Sequence, residues 1–302
     1  MPLVPFTVAP AANRPEHCSQ IAFGLRRPSA TRVRLSDMTD VEFVPSARQA
    51  GKVARLRRIF GDDGHCVVVP LDHGTILGRI PGLEDPMVAL RRFFDAPCDG
   101  FLLGPGVLRR SAELFGRRSA PARILTMDVS WSDAGGADHR LVTSVETAAA
   151  LGVDGVKVLM PWDVSSKERA STAALVARLV EDADRFGLPV MVEPVAFETR
   201  GPEATAIVAH GSRVAAEIGA DIVKLAHPGD DAVLRSWCAD LGVPVVLLGG
   251  GDSASTNELL ALVKRALDSG VSGIVIGRKL WGRPADEALA LLGDLHGLVH
   301  GN

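Results

Sequence analysis

From Gly51 onward the chain alternates short apolar runs with longer amphipathic stretches. The apolar runs are Cys66–Leu71, Gly100–Leu103, Arg123–Asp128, Asp154–Met160, Pro189–Glu193, Asp221–Leu225, Pro244–Leu248 and Gly273–Ile276. Helical periodicity marks Val53–Phe60, Pro86–Phe94, Ser166–Phe186, Glu203–Ile218 and Thr256–Ser269. Strands that are apolar on both faces, each followed by a helix, read as a buried parallel sheet. Eight such units predict an α/β fold, a (β/α)8 TIM barrel. A doubly wound open sheet would want a GxGxxG turn after its first strand, and that turn is missing.

The chain of 302 residues is 47% apolar with a formal net charge of −3, which excludes a disordered chain and gives no basic face for nucleic acid. No apolar run reaches the length of a membrane span. Four scattered cysteines with no CxxC pair predict reduced thiols and a cytoplasmic protein. Residues 1–46 predict a disordered N-terminal extension, and 47–302 the barrel domain. The first 36 residues carry five arginines and one acid, Glu16, as transit peptides do. They lack an amphipathic helix and Met38 offers a later start, so a disordered tail or an over-extended reading frame is preferred. Deleting residues 1–37 is expected to leave fold and activity intact.

Reactive groups of a TIM barrel sit at the carboxyl ends of its strands. There the sequence places Asp72, His73, Asp128, Lys157, Glu193 and Lys224. Only six residues are lysine, so a lysine within an apolar strand stands out. Burial penalises an ammonium, and a desolvated neutral lysine can attack a carbonyl to form a Schiff base. The bland alternative is a lysine that pairs with a carboxylate or phosphate. Lys157 and Glu193 on the two preceding strands favour function over a structural ion-pair network. Lys157 is expected to favour neutral Lys224, and Glu193 to carry protons. Asp72 could act as general acid/base or merely cap a turn, and Asp128 has similar standing. His73 reads first as packing.

Gly249, Gly250 and Gly251 after the seventh strand, with Gly277 and Arg278 after the eighth, fall where this fold binds phosphate. A phosphorylated small molecule is therefore the expected partner. His73, His210 and His227 show no metal-ligand spacing, so no metal or other cofactor is expected; a zinc-dependent aldolase with ligands from separate strands is the alternative.

Arg58-Ile-Phe60 with Val69-Pro-Leu-Asp-His-Gly74 resembles the first strand of archaeal-type class I fructose-bisphosphate aldolases. Ala215–Lys224 resembles their Schiff-base strand, and Gly249–Gly251 with Gly270–Arg278 their phosphate-binding ends. Asp154–Asp163 and Val192-Glu193 resemble the tagatose-1,6-bisphosphate aldolase branch of this DeoC/LacD-like superfamily. The resemblance runs in order over about residues 52–298. It implies Lys224 as Schiff-base lysine, Lys157 and Glu193 as its acid–base partners, Asp72 as a further proton-handling residue, and Gly250, Gly251, Gly277 and Arg278 at a phosphate. It also implies a homo-oligomer. Where the archaeal enzymes have a tyrosine proton donor, this chain reads Met160-Pro161-Trp162, and it contains no tyrosine. His73, Asp128 and Trp162 are carried as substrate-contacting candidates. The expected reaction joins or cleaves a ketose phosphate such as dihydroxyacetone phosphate and an aldehyde. Alternatives are a heptulosonate-type synthase using aspartate semialdehyde, an acyl-transferring relative, and a non-catalytic sugar-phosphate-binding regulator. Acceptor contacts are expected from the loops 75–82 and 130–138.

Overall fold

The computed structural model describes residues 46–133, 136–249 and 255–301. The expectations for residues 1–45 and for Gly250 and Gly251 thus lie outside the described residues. The strands are β1 (Cys66–Pro70), β2 (Gly100–Leu103), β3 (Ala122–Thr126), β4 (Asp128–Asp133), β5 (Gly136–Leu141), β6 (Gly155–Pro161), β7 (Val190–Val195), β8 (Ile222–Leu225), β9 (Val245–Leu248) and β10 (Gly273–Val275). Eight of them pair in parallel and close a barrel in the cyclic order β1-β2-β3-β6-β7-β8-β9-β10. The (β/α)8 barrel expected from the eight apolar runs is the fold.

Period-two alternation sorts each strand into an inner and an outer set. Cys66, Val68, Leu102, Ile124, Met191, Ile222, Val246 and Val275 form a buried interior cluster. The larger core, including Val67, Val69, Phe101, Val156, Val158, Val192 and Val223, includes residues of the helices as well. The helix Ala47–Phe60 begins at Ser46, whose hydroxyl accepts from the Gln49 N–H while the Gln49 side chain accepts from the Ser46 N–H, a capping box. Its last residues, Ile59 and Phe60, join the interior cluster and plug the amino-terminal mouth of the barrel. Arg58 pairs with Asp154 at 2.7 Å, and Lys52 with Asp184 and Asp221, so the plug is tied down by charge as well as by apolar packing. No helix among the described residues is long and apolar enough to cross a membrane.

One element departs from the βα rhythm. Of the residues expected to form a loop at 130–138, 130–133 and 136–138 belong to two antiparallel strands, with β4 paired to β5 from Asp128↔Leu141 to Asp133↔Gly136. Its sequence, Asp128-Val-Ser-Trp-Ser-Asp133, is too polar to register as a buried strand, and a two-stranded ribbon needs no buried second face. The Trp131 indole N–H donates to the Ile76 carbonyl and ties the hairpin to the segment after β1.

Candidate active site

The interior face changes character toward the carboxyl ends of the strands. Lys157 on β6, Glu193 on β7 and Lys224 on β8 are all buried. The pairs β6·β7 and β7·β8 are adjacent, so the three charged side chains that the sequence brought under suspicion meet as neighbours. Glu193 stands in register with Leu159, two residues beyond Lys157, and the long Lys157 stem carries its ammonium up to the carboxylate. Lys157 Nζ lies 2.8 Å and Lys224 Nζ 3.0 Å from Glu193 Oε2. One carboxylate oxygen is therefore shared by two cations.

Asp72, just past β1, completes the group from the opposite wall. Its Oδ2 accepts from the Thr126 hydroxyl at 2.6 Å and stands 3.9 Å from Lys157 Nζ. Burial alone would push the Glu193 carboxyl up; the two lysines outweigh it and bring the group down to about 2. Burial would likewise depress Lys157, but Glu193, Asp72 and Asp128 hold its ammonium above the usual value. At neutral pH the site therefore contains a fixed cation, Lys157, beside an ionised glutamate. Glu193 Oε2 lies within hydrogen-bond reach of both amino groups, Lys157 and Lys224.

The triad opens into a cavity of about 1110 Å³. Asp72, His73, Lys157, Glu193 and Lys224 line it, and so do Gly249, Gly277 and Arg278. A Cβ at Gly249 would come within 2.7 Å of Ile276 Cγ1 and 2.9 Å of its Cα, so packing between β9 and β10 demands a glycine there before any ligand does. Of the two segments expected to supply acceptor contacts, the one after β1 reaches the cavity through Ile76 and Leu77. No described residue of the hairpin lines it.

Two candidates occupy other places. Trp162 was carried as substrate-contacting, but Lys157, Leu159 and Pro161 alternate on the interior side, so Trp162 falls on the outer one. It is buried against the helix Gly201–Glu217, its N–H donates to His210 Nδ1 at 3.0 Å, and a Cβ on Gly211 would lie 3.2 Å from its ring. Asp128 is fully buried behind the triad rather than facing the cavity. Its Oδ2 accepts from the Leu159 backbone N–H at 2.9 Å and from His139 Nε2 at 2.7 Å. It fixes β6 at the level of Glu193 and adds negative charge near Lys157. His73 does face the cavity; burial holds its imidazole below the ordinary value, and its ring meets Trp281 edge-on at 5.4 Å.

Sequence reading missed Thr126, His139 and Lys279. Thr126 is a lone hydroxyl in an apolar strand, directly in register with Lys157. His139 is brought to Asp128 only by the hairpin. Lys279 is buried on the cavity wall one residue after Arg278, already inside the helix that follows the strand end.

Comparison with known proteins places the chain among aldolases. The model of the family described as DeoC/LacD family aldolase matches residues 66–283. A 2-amino-3,7-dideoxy-D-threo-hept-6-ulosonate synthase of Halobacterium salinarum is 32% identical over 236 residues, 77% of this chain and 86% of that protein. A 2-amino-4,5-dihydroxy-6-oxo-7-(phosphonooxy)heptanoate synthase of Streptomyces griseus is 31% identical over 252 residues, 82% of this chain and 89% of that one. A solved archaeal fructose-1,6-bisphosphate aldolase, whose catalytic lysine is covalently bound to the carbinolamine intermediate of its substrate, is 27% identical with a TM-score of 0.71. That match covers 83% of this chain and all of the other.

Proposed function

We propose that this chain, which belongs to the DeoC/LacD family of aldolases, is a class I enzyme that makes or cleaves a carbon–carbon bond in a phosphorylated ketose through a Schiff base on Lys224. The observation that carries the reading is the buried Lys224–Glu193–Lys157 group at the end of a large cavity. Phosphate binding alone requires no such group, and ionisable side chains in contact are costly to bury in a barrel that has only stability to gain from them.

In the cleavage direction, Lys224 gives a proton to Glu193, the base in contact with it, and its free amine attacks the keto carbon. Loss of water leaves an iminium. The carbon–carbon bond then breaks with its electron pair entering the iminium, giving an enamine, while the proton of the departing hydroxyl passes to a carboxylate and an aldehyde leaves. Protonation of the enamine carbon and addition of water release the ketone phosphate and restore Lys224. Glu193 is the proton carrier in reach of the lysine, and Asp72, held by Thr126, is the second. Lys157 keeps Glu193 ionised between transfers. These carboxylates take over the duty that a tyrosine performs in the archaeal enzymes the sequence resembles. Gly249, Gly277 and Arg278 hold the phosphate end and set the carbonyl against the lysine.

A second reading concerns the acceptor. The Halobacterium and Streptomyces relatives are named as synthases of seven-carbon amino keto compounds, which favours a biosynthetic condensation over sugar-phosphate cleavage. An acceptor panel containing glyceraldehyde 3-phosphate and aspartate semialdehyde separates the two. The primary test is borohydride reduction with dihydroxyacetone phosphate and EDTA present, followed by intact mass and peptide mapping. The expected result is one adduct, on Lys224. An adduct on Lys157 would move the nucleophile, and no adduct would remove the class I reading for this donor.

A further inference from the structure

We propose that the amino-terminal end of the barrel carries a binding site for a zinc-class divalent cation, formed by Asp99, His296 and His300. Each of the three offers one donor atom, and these atoms lie within 4.8 Å of one another. His296 and His300 are one turn apart on the helix Ala285–His300, with ring centroids 4.3 Å apart, the spacing that presents two imidazoles on one helix face. Asp99 enters from the segment before β2, and its Oδ2 stands 3.0 Å from His300 Nε2.

The partner of the other imidazole nitrogen points to a ligand. Asp63 Oδ2 lies 2.6 Å from His300 Nδ1. The two carboxylates thus hold both ring nitrogens of His300, and a cation on the side of Asp99 and His296 would take the place of the Nε2 proton while the Nδ1 proton stays donated to Asp63. Metal-bound histidines are commonly held by a carboxylate on their second nitrogen in this way, which fixes both tautomer and ring orientation. Two imidazole nitrogens and one carboxylate oxygen match the ligand types of zinc, with a fourth position left for water.

Asp99 has a structural duty as well. Its Oδ2 accepts the Val67 N–H at the start of β1, as Asp154 accepts from Arg123 and Asp221 from Val190. At those two stations the paired cation is Arg58 or Lys52, neither of which can ligate a metal. At Asp99 the pair is His300 with a second histidine one turn away. A bound cation would fasten the last helix to the segments that carry Asp63 and Asp99, at the end of the barrel opposite Lys224. A cavity of about 340 Å³ lined in part by Asp63, His65, Lys264 and His300 adjoins the His300 side of the group.

The test uses the full chain stripped with EDTA and titrated with Co²⁺ alone, read by its visible absorption, followed by displacement with Zn²⁺. The expected result is one Co²⁺ per chain, displaced by Zn²⁺, with a rise in melting temperature on Zn²⁺ addition. His296→Gln should weaken binding by at least about tenfold, and Asp63→Asn, which removes no ligand, by about 10–100-fold. The Asp63→Asn result carries the test should His296→Gln fail to fold. Absence of the cobalt spectrum, or wild-type affinity in a folded His296→Gln or Asp63→Asn protein, overturns the proposal.

Discussion

The Lys224 ammonium lies 3.0 Å from Glu193 Oε2, the same oxygen that Lys157 holds at 2.8 Å. One carboxylate is thus both the counter-ion of a permanent cation and the nearest base to the proposed nucleophile. These duties oppose each other: Lys157 keeps Glu193 ionised and ready, yet also makes it a weak base. Proton transfer from Lys224 therefore needs a carbonyl in place that consumes the free amine as it forms.

Glu193→Gln separates these duties. The amide keeps the shape but cannot take a proton, and it leaves two ammonium groups beside each other. We expect turnover to fall by about 10²–10⁴-fold, the usual range for a lost general acid/base. Borohydride trapping on Lys224 should persist at a lower rate, because attack on the carbonyl does not require Glu193 once solvent base supplies the free amine. Wild-type turnover in this variant would remove Glu193 from the mechanism.

Acid stability follows from the same group. The Glu193 carboxyl ionises at about 2 in the fold, below its ordinary value of 4.5 in the unfolded chain. A depressed acid stabilises the fold fully above the unfolded value, and that contribution is lost as pH falls from about 4.5 towards 2. In urea unfolding the gap between wild type and Glu193→Gln should be widest above pH 5 and narrow as pH drops. A gap independent of pH would mean that the ion pair contributes nothing through protonation.

The legible parts of this molecule were those whose signal is local. Eight apolar runs showed the barrel because a strand covered on both faces has to be apolar along its length. Lys157, Glu193 and Lys224 stood out against such runs, and the adjacency of their strands followed from chain order in a barrel. What escaped notice needed a partner far along the chain. His139 gains meaning only from a hairpin whose polar sequence reads as loop, and Thr126 only from Asp72, 54 residues earlier. Trp162 is legible in the same local way: counting in twos from Lys157 puts it outside the barrel.

Arg278 tests the phosphate end of the cavity. It is exposed on the cavity wall beside Gly277, so its contribution to a bound phosphate is a charge-assisted bond in partly solvated surroundings. Arg278→Met should raise KM for dihydroxyacetone phosphate about tenfold, corresponding to the lower end of a hydrogen bond to a charged group. With unphosphorylated dihydroxyacetone the variant and wild type should perform alike. An equal loss with both donors would show that Arg278 supports the fold of the loop rather than the phosphate.

Trp162 and Asp72 provide the sharpest contrast between a buried residue near the site and one within it. Trp162 sits three residues past Leu159, which lines the cavity, yet its ring packs into the helix layer and its N–H is spent on His210. Trp162→Phe keeps an aromatic ring in that layer and loses the bond, so it should lower stability by about 1 kcal/mol while kcat and KM stay at wild-type values. Asp72→Asn loses one negative charge 3.9 Å from Lys157 and one proton carrier, with the Thr126 hydroxyl still able to donate to the amide oxygen. Its fold should hold while kcat drops by about 10²-fold, within the range for general acid–base groups. Urea unfolding and steady-state kinetics on both variants decide the matter: a kinetic defect in Trp162→Phe would put the indole back at the substrate, and an unimpaired Asp72→Asn would leave Glu193 as the sole proton carrier.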